Sequence, residues 1–159
     1  MEYINKAAEE PGCFLCRKSK EDDDASNLIL YRGESNFIIL NVYPYNTGHL
    51  MVAPYRHVGD LSLLSDAEAR EHLEMVKLGL KLLTETMSPE GFNIGMNLGK
   101  AAGAGLADHI HTHIVPRWQG DTNFMPIIAD TKVLPESLTI TYQKLKQNLK
   151  LSSPPKGED

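Results

Sequence analysis

The 159-residue chain has no apolar run approaching the roughly 18–20 residues that a membrane-crossing helix requires, so no segment is expected to span a bilayer. Positive charge is not in excess either: 16 Lys and Arg against 21 Asp and Glu leave a formal net charge of -5. That balance argues against a broad nucleic acid footprint, although a local basic patch can still take a single nucleotide. The opening Met1 to Glu10 is too polar and acidic for a secretory leader, and the chain reads as cytoplasmic. Cysteine is scarce. Only Cys13 and Cys16 occur, spaced C-x-x-C, which excludes a disulfide framework. In a reducing compartment the pair reads as half a metal site or a redox pair before a structural disulfide, and it stays open because zinc takes about four ligands. With no internal repeat and no dividing linker, residues 1–150 are expected to form one domain, with 151–159 a disordered Ser/Pro/Lys tail.

Against this ordinary background stands His109-Ile110-His111-Thr112-His113-Ile114-Val115, which carries half of the chain's six histidines at every second position. In a strand this period sends His109, His111 and His113 to one face while Ile110 and Ile114 enter the core. Imidazole titrates near neutrality and can act as nucleophile, general acid, metal ligand or phosphate donor, so the crowding points to chemistry. The preceding Gly99-Lys100-Ala101-Ala102-Gly103-Ala104-Gly105 has few side chains to block a ligand, and its backbone N–H groups can form an anion nest.

In chain order, Cys13-Phe14-Leu15-Cys16 makes a knuckle and Glu21-Asp22-Asp23-Asp24 a solvated acidic loop. Three short strands follow, Leu28–Arg32, Phe37–Val42 and His49–Pro54, the first two joined as a hairpin. Ser65-Asp66-Ala67-Glu68 reads as a capping box opening a helix to about Met87, its inner face carrying Leu73, Val76, Leu80 and Leu83. Phe92–Leu98 is a fourth strand with Asn93 and Asn97 on one face, and His109–Val115 is the fifth. Arg117 suits a phosphate or a salt bridge, and Trp118 a base or a core anchor. Glu136–Leu149 is the last helix.

The run His109 to Val115 resembles the H-φ-H-φ-H-φ-φ signature of the histidine triad family of nucleotide hydrolases and transferases, with Thr112 departing at the third φ. The stretch Asn41, Pro44, Gly48-His49, Pro54 and His57 adds to the likeness, as do Gly91-Phe92-Asn93 and Asn97. The resemblance implies an α+β fold: an antiparallel sheet of about five strands, a long helix on one side, a C-terminal helix, and pairing into homodimers. It implies attack at the α-phosphorus of an adenine nucleotide or dinucleoside polyphosphate, with His111 the nucleophile, His113 bonding a phosphate oxygen and His109 setting the geometry.

By the same resemblance Asn41 meets the ribose, and Asn97 and the Gly105 backbone lie near the phosphates. Leu40–Val42 would line the base pocket, and Trp118 would stack on a base, in one reading across the dimer. Cys13, Cys16, His49 and His109 would bind one structural zinc, the competing reading being free thiols with His49 donating to the backbone. Where many hydrolase members place a hydroxyl before the triad, this chain has Gly105-Leu106-Ala107-Asp108. That departure, with Pro116-Arg117-Trp118 and Gly120 to Met125, resembles the bacterial branch containing diadenosine tetraphosphate phosphorylases. The alternative is a nucleotide-binding dimeric interaction protein with little turnover.

Overall fold

Why the helices and strands fall where they do follows from a few local signals, seen in a computed structural model that describes residues 12–121 and 136–152. The expectations for Met1–Pro11, for 122–135 and for the tail beyond residue 152 lie outside the described residues. Cys13 precedes a short helix α1 (Phe14–Lys20), and Asp23 caps the single turn α2 (Asp24–Asn27) by accepting from Ser26 N–H at 3.1 Å. The acidic run therefore diverges: Asp24 pairs with Arg32 at 2.8 Å and Glu21 accepts from Asn27 Nδ2 at 2.8 Å.

Five strands form one antiparallel sheet: β1 (Ile29–Arg32), β2 (Asn36–Leu40), β3 (Leu50–Pro54), β4 (Gly91–Gly95) and β5 (Thr112–Arg117), in the order β1-β2-β3-β5-β4. The expected hairpin is β1–β2. The fourth strand stops at Gly95, short of Asn97, and the fifth begins at Thr112. His109 to His111 lie beyond the ladder, whose last β3–β5 pair is Val52 with Thr112; the Ile110 N–H bonds instead to the Val58 carbonyl at 2.8 Å.

Helix α3 (Asp66–Met87) starts at the capping box: Ser65 Oγ accepts from Glu68 N–H while the Glu68 carboxylate accepts from Ser65 N–H at 2.8 Å. Arg56 beside that carboxylate holds it near a pKa of about 2. The helix stops at Ser88 in the left-handed conformation, just before Pro89.

The face it buries differs from the expected one. His72, Met75, Val76, Gly79, Leu82 and Leu83 point inward, whereas Leu73 is 62% exposed and Leu80 only partly buried. Gly79 is one reason: a Cβ there would lie 2.9 Å from Ile114 Cδ1, so the missing side chain lets the helix lie close on β5. The other is His72, polar yet inside, because Asn36 and Thr112 receive it. Its Nδ1–H donates to Asn36 Oδ1 at 2.8 Å, and Thr112 Oγ1–H donates to its Nε2 at 2.7 Å.

A last helix α4 (Leu138–Ser152) packs beside α3 and reaches the sheet through the Tyr142 hydroxyl, which donates to the Ile29 carbonyl at 3.0 Å. Leu151 and Ser152, expected in the tail, continue this helix. Leu30, Ile38, Leu40, Leu50, Val52 and Ile114 meet these two helices. Leu40 is thus committed to the helix-side core instead of a base pocket. The opposite sheet face carries a second cluster of Leu15, Ile29, Phe37, Ile39, Met51 and Ala53, and Leu106 of the Gly-rich loop packs on it. Among the described residues no helix is long and apolar enough to cross a membrane.

Candidate functional site

The sheet face opposite α3 and α4 carries the histidines, and their hydrogen-bond partners decide which nitrogen holds the proton. A carbonyl only accepts and an amide N–H only donates, so each contact fixes a tautomer. His111 Nδ1–H donates to the His109 carbonyl at 2.9 Å, which puts the lone pair of the neutral ring on Nε2. The Tyr45 N–H donates to His49 Nδ1 at 3.1 Å, so His49 Nε2–H donates to His113 Nδ1 at 2.9 Å. His113 then carries its own proton on Nε2, a donor suited to a phosphate oxygen. Burial pushes His111 below its ordinary pKa and His113 down to about 4, with the neighbouring His111 adding to the second shift. Both rings are therefore neutral at pH 7, His111 with a lone pair on Nε2 and His113 with an N–H there.

At the other end of the run, His109 Nε2–H donates to the Pro54 carbonyl at 2.8 Å and its Nδ1 lone pair faces three further groups. Cys13 Sγ is 3.2 Å from that nitrogen, Cys16 Sγ 3.4 Å and His57 Nδ1 3.3 Å, while Cys16 Sγ and His57 Nδ1 are 3.3 Å apart. All four donor atoms lie within 4.8 Å of one another. The expected set is corrected at one member: His57 stands where His49 was placed. Antiparallel register is the reason. With Leu50 opposite Ile114, His49 at the start of β3 falls beside His113, and the chain leaving β3 after Pro54 brings His57 to His109. His49 accepts from a backbone N–H and donates its own proton to His113.

A HIT-domain family model matches residues 23–120. The chain belongs to the HIT-domain family. A Mycobacterium tuberculosis protein named AP-4-A phosphorylase is 45% identical over 122 residues, 77% of this chain and 63% of the relative, so the chain spans less than two thirds of that protein's length. A HIT-like protein of Methanocaldococcus jannaschii is 30% identical over 109 residues, covering 69% of this chain and 81% of the relative. Among solved structures, a zinc-bound histidine triad family protein from Mycobacterium smegmatis superposes with a TM-score of 0.65 at 27% identity, over 88% of this chain and 94% of that one.

Within the HIT fold of this chain, the other expected site residues separate. Asn97 lines a cleft of about 520 Å³ together with His113. Gly105 is partly buried in the loop that precedes the triad, outside that cleft's lining. Asn41 is only 2% exposed: its Oδ1 accepts from Tyr43 N–H at 3.0 Å and its Nδ2 lies 3.4 Å from His49 Nδ1. The amide thus ties the β2–β3 connection to His49. Trp118 is partly buried, bonded through its backbone N–H to Asp121 at 3.1 Å, and lines no part of the cleft.

Two residues escaped the sequence reading. His57 was visible as part of the family stretch, and its place just past the proline ending β3 was the usable signal. His72 had none, because a polar residue inside a helical apolar stripe finds its partner Thr112 only in the fold.

Proposed function

We propose that the protein is a nucleotidyl transferase of adenine dinucleotides, working through a covalent nucleotidyl-histidine at His111, with a dinucleoside polyphosphate as substrate and phosphate as acceptor. The observation that carries this reading is the tautomer of His111, whose Nδ1–H is committed to the His109 carbonyl and whose Nε2 lone pair is thereby available. Imidazole is both a good nucleophile and a good leaving group, so one displacement at phosphorus becomes two easier ones. His113 Nε2–H is placed to stabilise charge on the phosphate oxygens, with Asn97 and the Gly105 backbone beside it in this reading. The name of the Mycobacterium tuberculosis relative supports the choice of substrate and acceptor.

The Cys13, Cys16, His57 and His109 cluster suits zinc. Tetrahedral ligation with bonds of about 2.0–2.3 Å separates donor atoms by roughly 3.3–3.8 Å, and the spacings of 3.2 to 3.4 Å above lie at or just under the near end of that range. His109 already presents a deprotonated Nδ1 with its other nitrogen anchored, the arrangement of an oriented metal-binding imidazole. A bound zinc would supply a structural cross-link between the Cys13–Cys16 knuckle and the approach to the nucleophile. This assignment goes with a cytoplasmic protein, where the thiols stay reduced. We also infer a homodimer, since β4 is a sheet edge and carries exposed Ile94 at 48%, followed by Leu98 at 46%.

Incubation of the purified protein with diadenosine tetraphosphate, with and without inorganic phosphate, tests the reading. ADP and ATP formed only with phosphate is the expected result. AMP and ATP released without phosphate would make the protein a hydrolase. Tight AMP binding with no turnover would favour the interaction-protein reading, for which Leu106 in place of a hydroxyl is the observation.

A further inference from the structure

The spacing of Cys13 and Cys16 fits a metal pair and a redox pair alike, and the fold puts them where either role bears on the nucleophile. The two cysteines bracket the start of α1: Cys13 precedes the helix and its carbonyl accepts from Arg17 N–H at 3.0 Å, so Cys16 follows within the same turn. Residues three apart on a helical turn have Cα atoms about 5 Å apart, inside the window a disulfide needs. Both thiols are free and half-buried, and His57 beside them is exposed, so a small solute reaches the cluster from solvent. Leu15 between them is fully buried in the cluster with Ile29, Phe37, Ile39 and Met51. It pins the knuckle to the sheet whatever the sulfurs do.

His109 links this knuckle to the triad. The residue is fully buried, with its Nε2–H on the Pro54 carbonyl at 2.8 Å and its Nδ1 3.2 Å from Cys13 Sγ and 3.4 Å from Cys16 Sγ. Its own carbonyl accepts from His111 Nδ1–H at 2.9 Å. One residue thus carries a donor atom of the cluster on its side chain and the anchor of the His111 ring on its backbone.

We propose that Cys13 and Cys16 are a modification site for a two-electron oxidant of the peroxide class, and that the disulfide they form slows transfer at His111. This rests on the readings of His111 as nucleophile and of the cluster as a zinc site. One sulfur attacks a peroxide oxygen, breaking the O–O bond and giving a sulfenic acid and water. The second sulfur then forms the S–S bond, and the sulfenic oxygen leaves as a second water. The sulfur pair gives up two electrons and peroxide takes them. The two protons come from the thiols or, where the sulfurs start as metal-bound thiolates, from solvent.

A disulfide has no proton to donate and no thiolate to offer a metal, so the oxidised pair releases the ion. The buried Nδ1 of His109 is then left with His57, 3.3 Å away and exposed, as the donor remaining in the cluster. A buried acceptor without a firm donor is costly, so the ring turns and the His109 carbonyl turns with it. His111 Nδ1–H loses the partner that fixes its tautomer. Because Leu15 holds both sulfurs at the site, reduction and metal restore the first state.

Stepwise addition of hydrogen peroxide to the reduced, zinc-loaded protein tests this with four readouts: free thiols, zinc released to a colorimetric chelator, the His111 Nδ1–H resonance, and the rate of adenylyl transfer from diadenosine tetraphosphate to phosphate. One equivalent is expected to remove both thiols, release the zinc, shift or broaden that resonance and slow transfer about tenfold or more. Dithiothreitol with zinc should restore all four. Cys13→Ser should start at the slow rate and lose no further rate to peroxide. Oxidation of the thiols without zinc release, transfer within twofold of its starting rate in the disulfide form, or a Cys13→Ser variant as peroxide-sensitive as the unaltered protein would each overturn the switch. If the reduced protein holds no zinc, yet the disulfide slows transfer and moves the resonance, the switch stands and the zinc reading falls. If thiols, zinc and resonance respond as expected while dinucleotide is never turned over, the link from the sulfurs to His111 stands and the proposed reaction falls.

Discussion

The two faces of residues 109–115 handle their polar groups in opposite ways. On the helix side Ile114 enters the core and Ile110 is buried, and the polar member between them, Thr112, is spent on His72, itself spent on Asn36. On the open side every imidazole has one nitrogen anchored and one left over: His109 Nδ1 at the Cys cluster, His111 Nε2, and His113 Nε2 beside the cleft. A closed hydrogen-bond pair gives stability and no chemistry. A half-anchored imidazole gives a defined tautomer with one reactive nitrogen, because the anchor is a backbone carbonyl or, for His113, a His49 ring whose own tautomer the Tyr45 N–H fixes.

The sharpest break in this contrast is His111→Ala, expected to cut adenylyl transfer by about a thousandfold or more while moving the melting midpoint by only a few degrees. Transfer left within tenfold would remove His111 as nucleophile. Cys16→Ser should come next: bound zinc, measured by elemental analysis, falls from one per chain, and the melting midpoint drops by about 10 °C, roughly 3 kcal/mol.

The closed pair makes an acid-labile site. Burial pushes His72 from its ordinary value near 6.5 to about 4. Between those values the unfolded chain binds the proton and the folded one does not, so stability falls as pH drops from about 6.5 to about 4, by about 3 kcal/mol for this residue. Denaturant midpoints across that window should fall less steeply in His72→Gln, which cannot titrate; an unchanged slope would assign the acid loss elsewhere. Thr112→Val, which leaves His72 Nε2 without its donor, should cost about 1–3 kcal/mol while transfer stays within a few-fold. Leu73→Ser, at the helix position found exposed, should change stability by less than about 0.5 kcal/mol; a loss of 2 kcal/mol or more would return Leu73 to the buried face.

Much of this architecture could be read before any coordinates. Period two in the histidine run, the Ser65–Glu68 capping box and the Pro and Gly punctuation each act through neighbours in sequence, so they place the hairpin, the long helix and the shared histidine face. What failed needed contacts between distant segments. The helix face was misjudged because Gly79 and His72 look like interruptions of an apolar stripe until β5 lies beneath them. The fourth cluster member was misjudged because β3 runs antiparallel to β5, and only that register tells which end of β3 meets His109. For Asn41, expected at the ribose, nothing in the sequence signals the turn after β2 that folds its amide onto Tyr43 and His49.

By itself, then, the sequence determined which chemistry the chain carries, since imidazoles, thiols and their spacing are properties of residues and local conformation. The tertiary structure alone decided which nitrogen of each imidazole is free, which histidine joins the cysteines, and that Arg117 faces the cleft with its charge already balanced by Asp121. Those are outcomes of strand register and packing, where groups 40 to 100 positions apart, such as His57 and His109 or Cys13 and His109, come within about 3.3 Å.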